Sequence, residues 1–222
     1  LERLAQETKS DELEVASRQS RRLFRLVNQL LDFQKATAGS HSLEREPIDV
    51  RSFVDACRES FSFTCRERSI ALSCNVDIPE ERELFFDADA DALEKMASNY
   101  LINAVKHTPA GGQIHLGVKQ SQTGALRLAV TDTGRGVPPE EQDRLFSPFT
   151  KVSTARGNSD PSTGLGLALV KELAELHGGQ VGMKDNPDGG AIFWFELPRW
   201  TNDEDRDSDS EGVTGTRFFK LA

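Results

Sequence analysis

The stretch Asn99-Tyr100-Leu101-Ile102-Asn103-Ala104-Val105-Lys106-His107-Thr108-Pro109 constrains this chain more than any other. It reads as the end of a helix that begins near Asp89. Leu93, Met96, Ala97, Tyr100, Leu101 and Ala104 recur at i, i+3, i+4, i+7, i+8 and i+11, which is one apolar face. Ile102 and Val105 add apolar groups on the far side, so the helix is expected to be covered on both sides. Asn99, Asn103 and Lys106 nevertheless fall at i, i+4 and i+7, a second and polar stripe. Amides and an ammonium on a largely buried helix cost stability unless each finds a partner. Either this edge of the helix is wet, or a bound polar ligand supplies the partners. Amide oxygens suit a hard cation such as Mg²⁺, and an ammonium suits phosphate.

Ahead of that helix, residues 11–38 read as one long helix, with Ser10 as its cap and Gly39 as its terminator. Ala16, Leu23, Val27 and Leu30 form a near-heptad seam widened by Phe24, Leu26, Leu31 and Phe33, a face for a helical bundle or coiled coil. Such a face packs on its own domain or meets a partner helix; its width on a terminal helix favours the partner. Pro47-Ile48-Asp49 leads into a helix from about Val50 to Arg68, capped by Asp49. Ile70–Val76 and Glu83–Asp87 read as strands around a turn at 79–82. Asp87, Asp89 and Asp91 crowd the start of the central helix, where its dipole favours negative charge, and are read as capping rather than as metal ligands.

Gln113–Gln120 and Leu126–Thr131 form a hairpin about Thr123-Gly124, and a loop from Thr133 to Pro139 precedes a short helix near Glu140–Phe146. Residues 147–162 are rich in Ser, Gly, Thr and Pro and almost free of apolar residues, which suits a functional lid. A helix from Thr163-Gly164-Leu165-Gly166 to His177 follows, then strands at Gln180–Lys184 and Ala191–Leu197 around the turn Asn186–Gly190. Asn202–Glu211 reads as a solvated acidic linker. The expected fold is an α/β (α+β) two-layer sandwich, with helices on one face of a mixed, largely antiparallel sheet, preceded by one long bundle helix. Three segments are expected: the bundle helix at 1–39, a domain at 40–199 and the acidic tail at 200–222.

The net charge of −9, with no basic cluster beyond Arg18–Arg25, argues against nucleic acid as a partner. Cys57, Cys65 and Cys74 lack C-x-x-C spacing and read as buried thiols of a reducing compartment. No apolar run approaches the roughly 18 residues of a membrane span, so any membrane attachment is expected through segments outside this chain. The chain opens on Leu1 and is expected to be an excerpt or a processed product of a longer protein.

Two further motifs carry chemistry. Asp132-Thr133-Gly134-Arg135-Gly136 follows a strand directly; its Asp can accept from an exocyclic amine while the glycines let a ring lie on the backbone, or the segment is a plain turn. Gly164 and Gly166 stand where a loop enters a helix, as a phosphate site at the helix start or as a hinge. Neither the P-loop nor the G-x-G-x-x-G fingerprint occurs. In order and spacing, residues 43–198 resemble the ATP-binding domain of sensor histidine kinases, within the gyrase, histidine kinase and MutL ATPase group. Asn99-x-x-x-Asn103-x-x-Lys106-His107 is similar to the N box, and Asp132-x-Gly134-x-Gly136 to the first glycine box. Phe146 and Phe149 are similar to the F box, and Thr163-Gly164-Leu165-Gly166-Leu167 to the second glycine box. Residues 11–38 resemble the second helix of the dimerisation and phospho-acceptor hairpin.

The resemblance implies ATP and Mg²⁺ as cofactors. Asp132 would bind the adenine amine, and Gly134 and Gly136 would let the base sit on the loop. Asn103 would be the protein ligand of Mg²⁺ with Asn99 nearby, Lys106 would contact phosphate, and His107 would line the site. Residues 147–162 would be the ATP lid, with Lys151 a phosphate contact, and the backbone from Thr163 through Gly164, Leu165 and Gly166 to Leu167 would hold the phosphates. Transfer would go to a histidine outside this chain, since His41 follows the second helix and lacks the acidic neighbour of the phospho-acceptor motif; His115 and His177 are expected to be structural. Ser162 and His107 depart from the family pattern, where a glycine and an aromatic residue are common. The resemblance further implies a homodimer through the dimerisation helices, a response-regulator receiver domain as partner and a cytoplasmic location. A serine kinase of the same ATPase group, and an inactive nucleotide-binding scaffold, are the competing readings.

Overall fold

The computed structural model describes residues 2–37, 42–78, 85–121, 123–150 and 163–199. Period-two alternation builds its sheet. In β5 (Leu126–Asp132), Leu126, Leu128, Val130 and Asp132 are buried while the residues between them are half-buried. β5 pairs antiparallel with β4 (Gln113–Gln120) and with β7 (Ala191–Leu197), which pairs antiparallel with β6 (Gln180–Asp185). β2 (Ala71–Asp77) joins β4 in parallel, giving the order β2-β4-β5-β7-β6. The sheet is thus mixed and largely antiparallel, as expected.

Helices α2 (Val50–Glu67), α3 (Ala90–His107) and α5 (Gly166–Leu176) pack against the sheet. Leu93, Met96, Tyr100 and Leu101 of α3 and Leu169 of α5 meet Ile114, Leu116, Leu128 and Phe195, all at most 2% exposed. Each such side chain stabilises by roughly 1.5–3 kcal/mol. The Tyr100 hydroxyl donates to Trp194 O at 3.0 Å, which satisfies the one polar atom of that core face. On the opposite face, Asn75, Gly117, Ala129, Trp194 and Gly182 stand in one register row. The Trp194 indole lies over Gly182, where any Cβ would strike the ring, and the Arg127 guanidinium stacks on Trp194 at 4.2 Å and pairs with Glu196 at 2.8 Å.

Asp49 caps α2 by accepting from the Arg51 N–H at 3.0 Å and the Ser52 hydroxyl at 2.6 Å. Asp89 caps α3 through Ala92 N–H at 2.9 Å, and its second oxygen takes the Glu44 N–H at 3.0 Å. His177 is structural: Nδ1 donates to Leu173 O at 2.7 Å, which leaves Nε2 to accept from Asp89 N–H at 3.2 Å. One buried carboxylate therefore holds the start of α3 to the preceding chain. Asp89→Ala is expected to cost about 2 kcal/mol, read as a lowered urea midpoint with an unchanged slope. Cys57 and Cys65 are buried and Cys74 half-buried; burial pushes the thiols of Cys57 and Cys74 up to about 12 and about 11, so they are inert near neutral pH.

The structure corrects five expectations. The long helix α1 runs Glu2–Thr37, so Ser10 lies inside it rather than at its cap; Glu2–Lys9 are mostly strong helix formers and extend it backwards. Arg45–Asp49 is a strand, β1, paired antiparallel with β3 (Phe85–Asp89), and Pro47 faces Asp87 in a two-stranded ribbon where an edge proline is tolerated. The strand expected at Glu83–Asp87 runs two residues further, to Asp89, and its first two residues, 83 and 84, lie outside the described residues. The helix expected over Glu140–Phe146 is only α4 (Pro139–Gln142), followed by turns. Val105 is buried but Ile102 is 53% exposed, so α3 is covered on one side and open beside its polar stripe. Gly39, His41, the segment 151–162 and the acidic tail lie outside the described residues.

The last turns of α1 pack against α5. Ala36 is buried, Asp32 accepts from Lys95 Nζ at 2.9 Å, and Gln29 Oε1 accepts from the Thr163 hydroxyl at 3.0 Å. Burial alone would lower the proton affinity of Lys95, but its hydrogen bonds to Asp91 and Asp32 outweigh this and leave it raised. Leu13, Leu23, Phe24, Val27, Leu30 and Leu31 of α1 stay exposed.

Candidate functional site

The C-terminal half of α3 supplies the polar side of the site. Asn99, Asn103, Lys106 and His107 are half-buried along its margin. Asn99 Nδ2 donates to Lys95 O at 2.7 Å, the i−4 carbonyl, which fixes its amide. Its Oδ1 faces the start of α5 so closely that a Cβ built on Gly166 would lie 2.5 Å away. A side chain at Gly166 would push α5 off α3. Among the described residues, nothing exchanges a hydrogen bond with the Asn103 amide. Its oxygen therefore keeps its lone pairs for a ligand.

Asp132 ends β5, 5% exposed. Burial pushes its carboxyl up, while the N–H groups of Gly134 and Ala191 pull it back down. The Gly134 N–H lies 2.8 Å from Oδ1. A carboxylate has about four acceptor sites, so two backbone N–H groups leave capacity for an incoming amine. Gly134 runs directly beneath the end of α3: a Cβ there would stand 2.7 Å from His107 O and 2.7 Å from Asp132 Oδ1. Gly136 turns at φ +71° against Gly190 O. The Asp132 carbonyl is held from below by Asn186 Nδ2 at 2.9 Å.

The other wall is the start of α5. Its N-cap residue Leu165 makes no side-chain cap, so the first-turn N–H groups are available to an anion. Thr163 Oγ1 accepts from Leu165 N–H at 3.2 Å while donating to Gln29. The Leu165 side chain is buried and that of Leu167 half-buried, so this segment offers backbone rather than side chains. Gly164, at φ +71°, backs onto the segment after the short helix: a Cβ there would lie 2.6 Å from Thr150 O. Phe149 itself sits at φ +61° and is exposed.

The four sequence motifs therefore meet. His107 touches the Asp132 loop at Gly134, Asn99 touches the second glycine segment at Gly166, and Phe149 and Thr150 touch it at Gly164. An acceptor carboxylate, a glycine floor, an amide without partners and an uncapped helix start fit a nucleotide and a cation bound to its phosphates. Among the described residues there is no group of three or more His, Cys, Asp or Glu that could hold a metal by itself. A divalent ion here would rely on Asn103 and on the ligand's own oxygens. Lys151 lies outside the described residues. Sequence reasoning missed Asn186 and Gly190, which support Asp132 from the β6–β7 turn; the only local signal was the run Asn186-Pro187-Asp188-Gly189-Gly190, read as a plain turn. It also missed Gln29, which reaches Thr163 from α1.

The family model for histidine kinase-, DNA gyrase B- and HSP90-like ATPases matches residues 88–201. The alginate biosynthesis sensor protein KinB of Pseudomonas aeruginosa is 32% identical over 196 residues, 87% of this chain and 31% of that protein. The crystal structure of full-length ShkA in complex with AMPPNP superposes with a TM-score of 0.73 at 34% identity, over 85% of this chain and 38% of that one. The nucleotide-free catalytic domain of the histidine kinase ThkA superposes with a TM-score of 0.61 at 25% identity, over 70% of this chain and 96% of that one. The chain thus spans about a third of the length of the curated relative it matches.

Proposed function

Because the chain belongs to the histidine kinase-, DNA gyrase B- and HSP90-like ATPase family, we propose that it is the Mg·ATP-binding catalytic portion of a sensor histidine kinase. What supports this reading is that Asp132 and His107 meet at Gly134 while Asn99 meets the uncapped start of α5 at Gly166. Bound Mg·ATP would supply the γ-phosphoryl group and the cation that neutralises its charge. Asp132 would accept from the adenine amine above the Gly134–Gly136 floor. Asn103 would present its amide oxygen to Mg²⁺ beside Asn99, Lys106 would meet phosphate, and His107 would line the base pocket. The N–H groups from Thr163 to Leu167 would orient the phosphate chain, with Lys151 reaching in from the lid. Such chemistry needs mainly positioning and charge neutralisation.

The acceptor would be a histidine outside residues 1–222. The exposed apolar residues of α1, from Leu13 to Leu31, support pairing with a second copy through the dimerisation helices. A response-regulator receiver domain is the partner this reading calls for, and a cytoplasmic setting follows from it. Among the described residues, no helix is long and apolar enough to cross a membrane.

Calorimetry with ADP should show affinity raised by Mg²⁺, and Asn103→Ala should remove that gain, roughly tenfold or more, while sparing metal-free binding. In the intact parent kinase, label from γ-phosphate should reach a histidine, stable to base and labile to acid. Acid-stable phosphoserine would establish the serine-kinase reading instead, and a folded chain that ignores millimolar nucleotide would establish the scaffold.

A further inference from the structure

We propose that the open edge of β2, with the arginines beside it on α2, is a docking site for an extended acidic segment of a partner protein, which adds a strand to the sheet. β2 is the outer strand and pairs only with β4. Ala71 N–H donates to Gly112 O at 2.9 Å, toward β4. By alternation the amides of Leu72, Cys74 and Val76 point the other way, and among the described residues no acceptor meets them. An outward row of this kind is a template for another strand.

Three arginines of α2 keep pace with this edge. Ile70 N–H donates back to Cys65 O at 2.8 Å across the turn that joins α2 to β2, so helix and strand run in opposite directions. Arg51 Nη2 donates to Ile78 O at 2.8 Å, at the far end of the strand. Burial raises the Cys74 thiol and the Arg58 charge pulls it partly back, which puts Arg58 beside the middle of β2. Arg66 lines a groove of about 500 Å³ with Ala71 and Leu72, at the near end. From Arg58 to Arg66 is about 12 Å along the helix, and from Cys74 to Ile70 about 13 Å along an extended chain. The helix thus repeats its positive charge in step with every fourth residue of the edge.

The groove calls for carboxylates. Arg58, Ser62 and Arg66 line it from α2, and no acidic side chain does. Arg58 pairs with Asp55 at 2.9 Å, but both side chains are more than half exposed, so exchanging that partner costs little. Among the described residues Arg66 makes no ion pair. Leu72, Cys74 and Val76 are half-buried and pack with the core on the α2 side, while Ser73, Asn75 and Asp77 are exposed on the other face. In an added antiparallel strand, the residues opposite Leu72, Cys74 and Val76 share their face. Acidic residues at every second position of that strand therefore turn toward Arg58 and Arg66, while its carbonyls meet the outward amides. A helix or a free anion would meet the arginines and leave the amide row unpaired, so charge and backbone together select an extended acidic peptide.

The test is titration of the full 222-residue chain with the end-blocked peptide Thr-Glu-Thr-Glu-Thr-Glu-Thr-Glu-Thr, followed by amide NMR and hydrogen exchange. The amides of Leu72, Cys74 and Val76 should shift saturably by millimolar peptide and exchange about tenfold more slowly when it is bound. Arg58→Gln/Arg66→Gln should weaken binding about tenfold or more, with the urea midpoint and ADP affinity unchanged. A glutamine-for-glutamate peptide should not bind, and one with its four glutamates in a single block should bind far more weakly. Several results would overturn the proposal: no saturable shift on β2, equal binding of the blocked-charge peptide, or binding that survives loss of both arginines. Outward amides already protected in the free chain would also overturn it, since the edge would then be covered by the chain itself or, if protection grows with protein concentration, by a second copy.

Discussion

Replacing Asp132 with Asn is expected to weaken ADP binding by about 100-fold while leaving the chain folded. The substitution keeps an oxygen for the Gly134 and Ala191 N–H groups but puts an amide donor where, on the proposed function, an adenine amine would donate. Stability should move the other way. Burial raises the Asp132 carboxyl in the folded state, so folding favours the protonated form and stability falls as pH rises from the ordinary carboxylate value through the raised one. At neutral pH the charged, buried group is therefore a cost, and the asparagine variant should be at least as stable in urea at pH 7. That advantage should shrink as pH drops through the raised value toward the ordinary carboxylate value, and level off below it. A variant that folds and still binds ADP tightly would move the base site away from Asp132.

Gly190→Ala should be the most damaging single change outside the core. Gly190 sits at φ +93°, where a Cβ is strained, and that Cβ would lie 2.6 Å from Gly134 N and run into the Asp132 carbonyl. Both contacts are backbone and cannot swing aside. Strain and overpacking together predict a loss of about 3 kcal/mol, near 10 °C in Tm for a chain of this size. Nucleotide affinity should fall too, because the displaced atoms are those that aim Asp132. Gly189→Ala is the control: its φ is +91°, but a Cβ there would meet nothing within 4 Å. It should cost only about 1 kcal/mol and spare binding.

The two substitutions differ in how visible their residues were in the sequence. Asp132, Asn103 and the glycines at 134, 136, 164 and 166 stood in motifs whose spacing implies a site, and α3 was legible because its apolar residues keep a helical period over about three turns. Gly190 is remote from Asp132 in sequence and reaches it only because β7 pairs with β5, so no local pattern could announce it. The same holds for Gln29 with Thr163 and Asp32 with Lys95, which exist only once α1 lies on α5. β1 was missed for a local reason. Five residues centred on Pro47 give too little alternation to register, and the proline argues against a strand unless its edge position is known. The exposure of Ile102 was equally hidden, since periodicity says which residues share a face but not whether anything covers it.

The stacking of Arg127, Trp194 and Gly182 on the open face gives the domain a built-in optical probe. Trp194 and Trp200 are the only tryptophans. With Trp200 replaced by phenylalanine, all indole emission would come from a ring pressed on a glycine backbone and roofed by a cation. Trp194 belongs to the strand that pairs with the Asp132-bearing β5, so the colour of that emission would follow the sheet beneath the site as the chain melts.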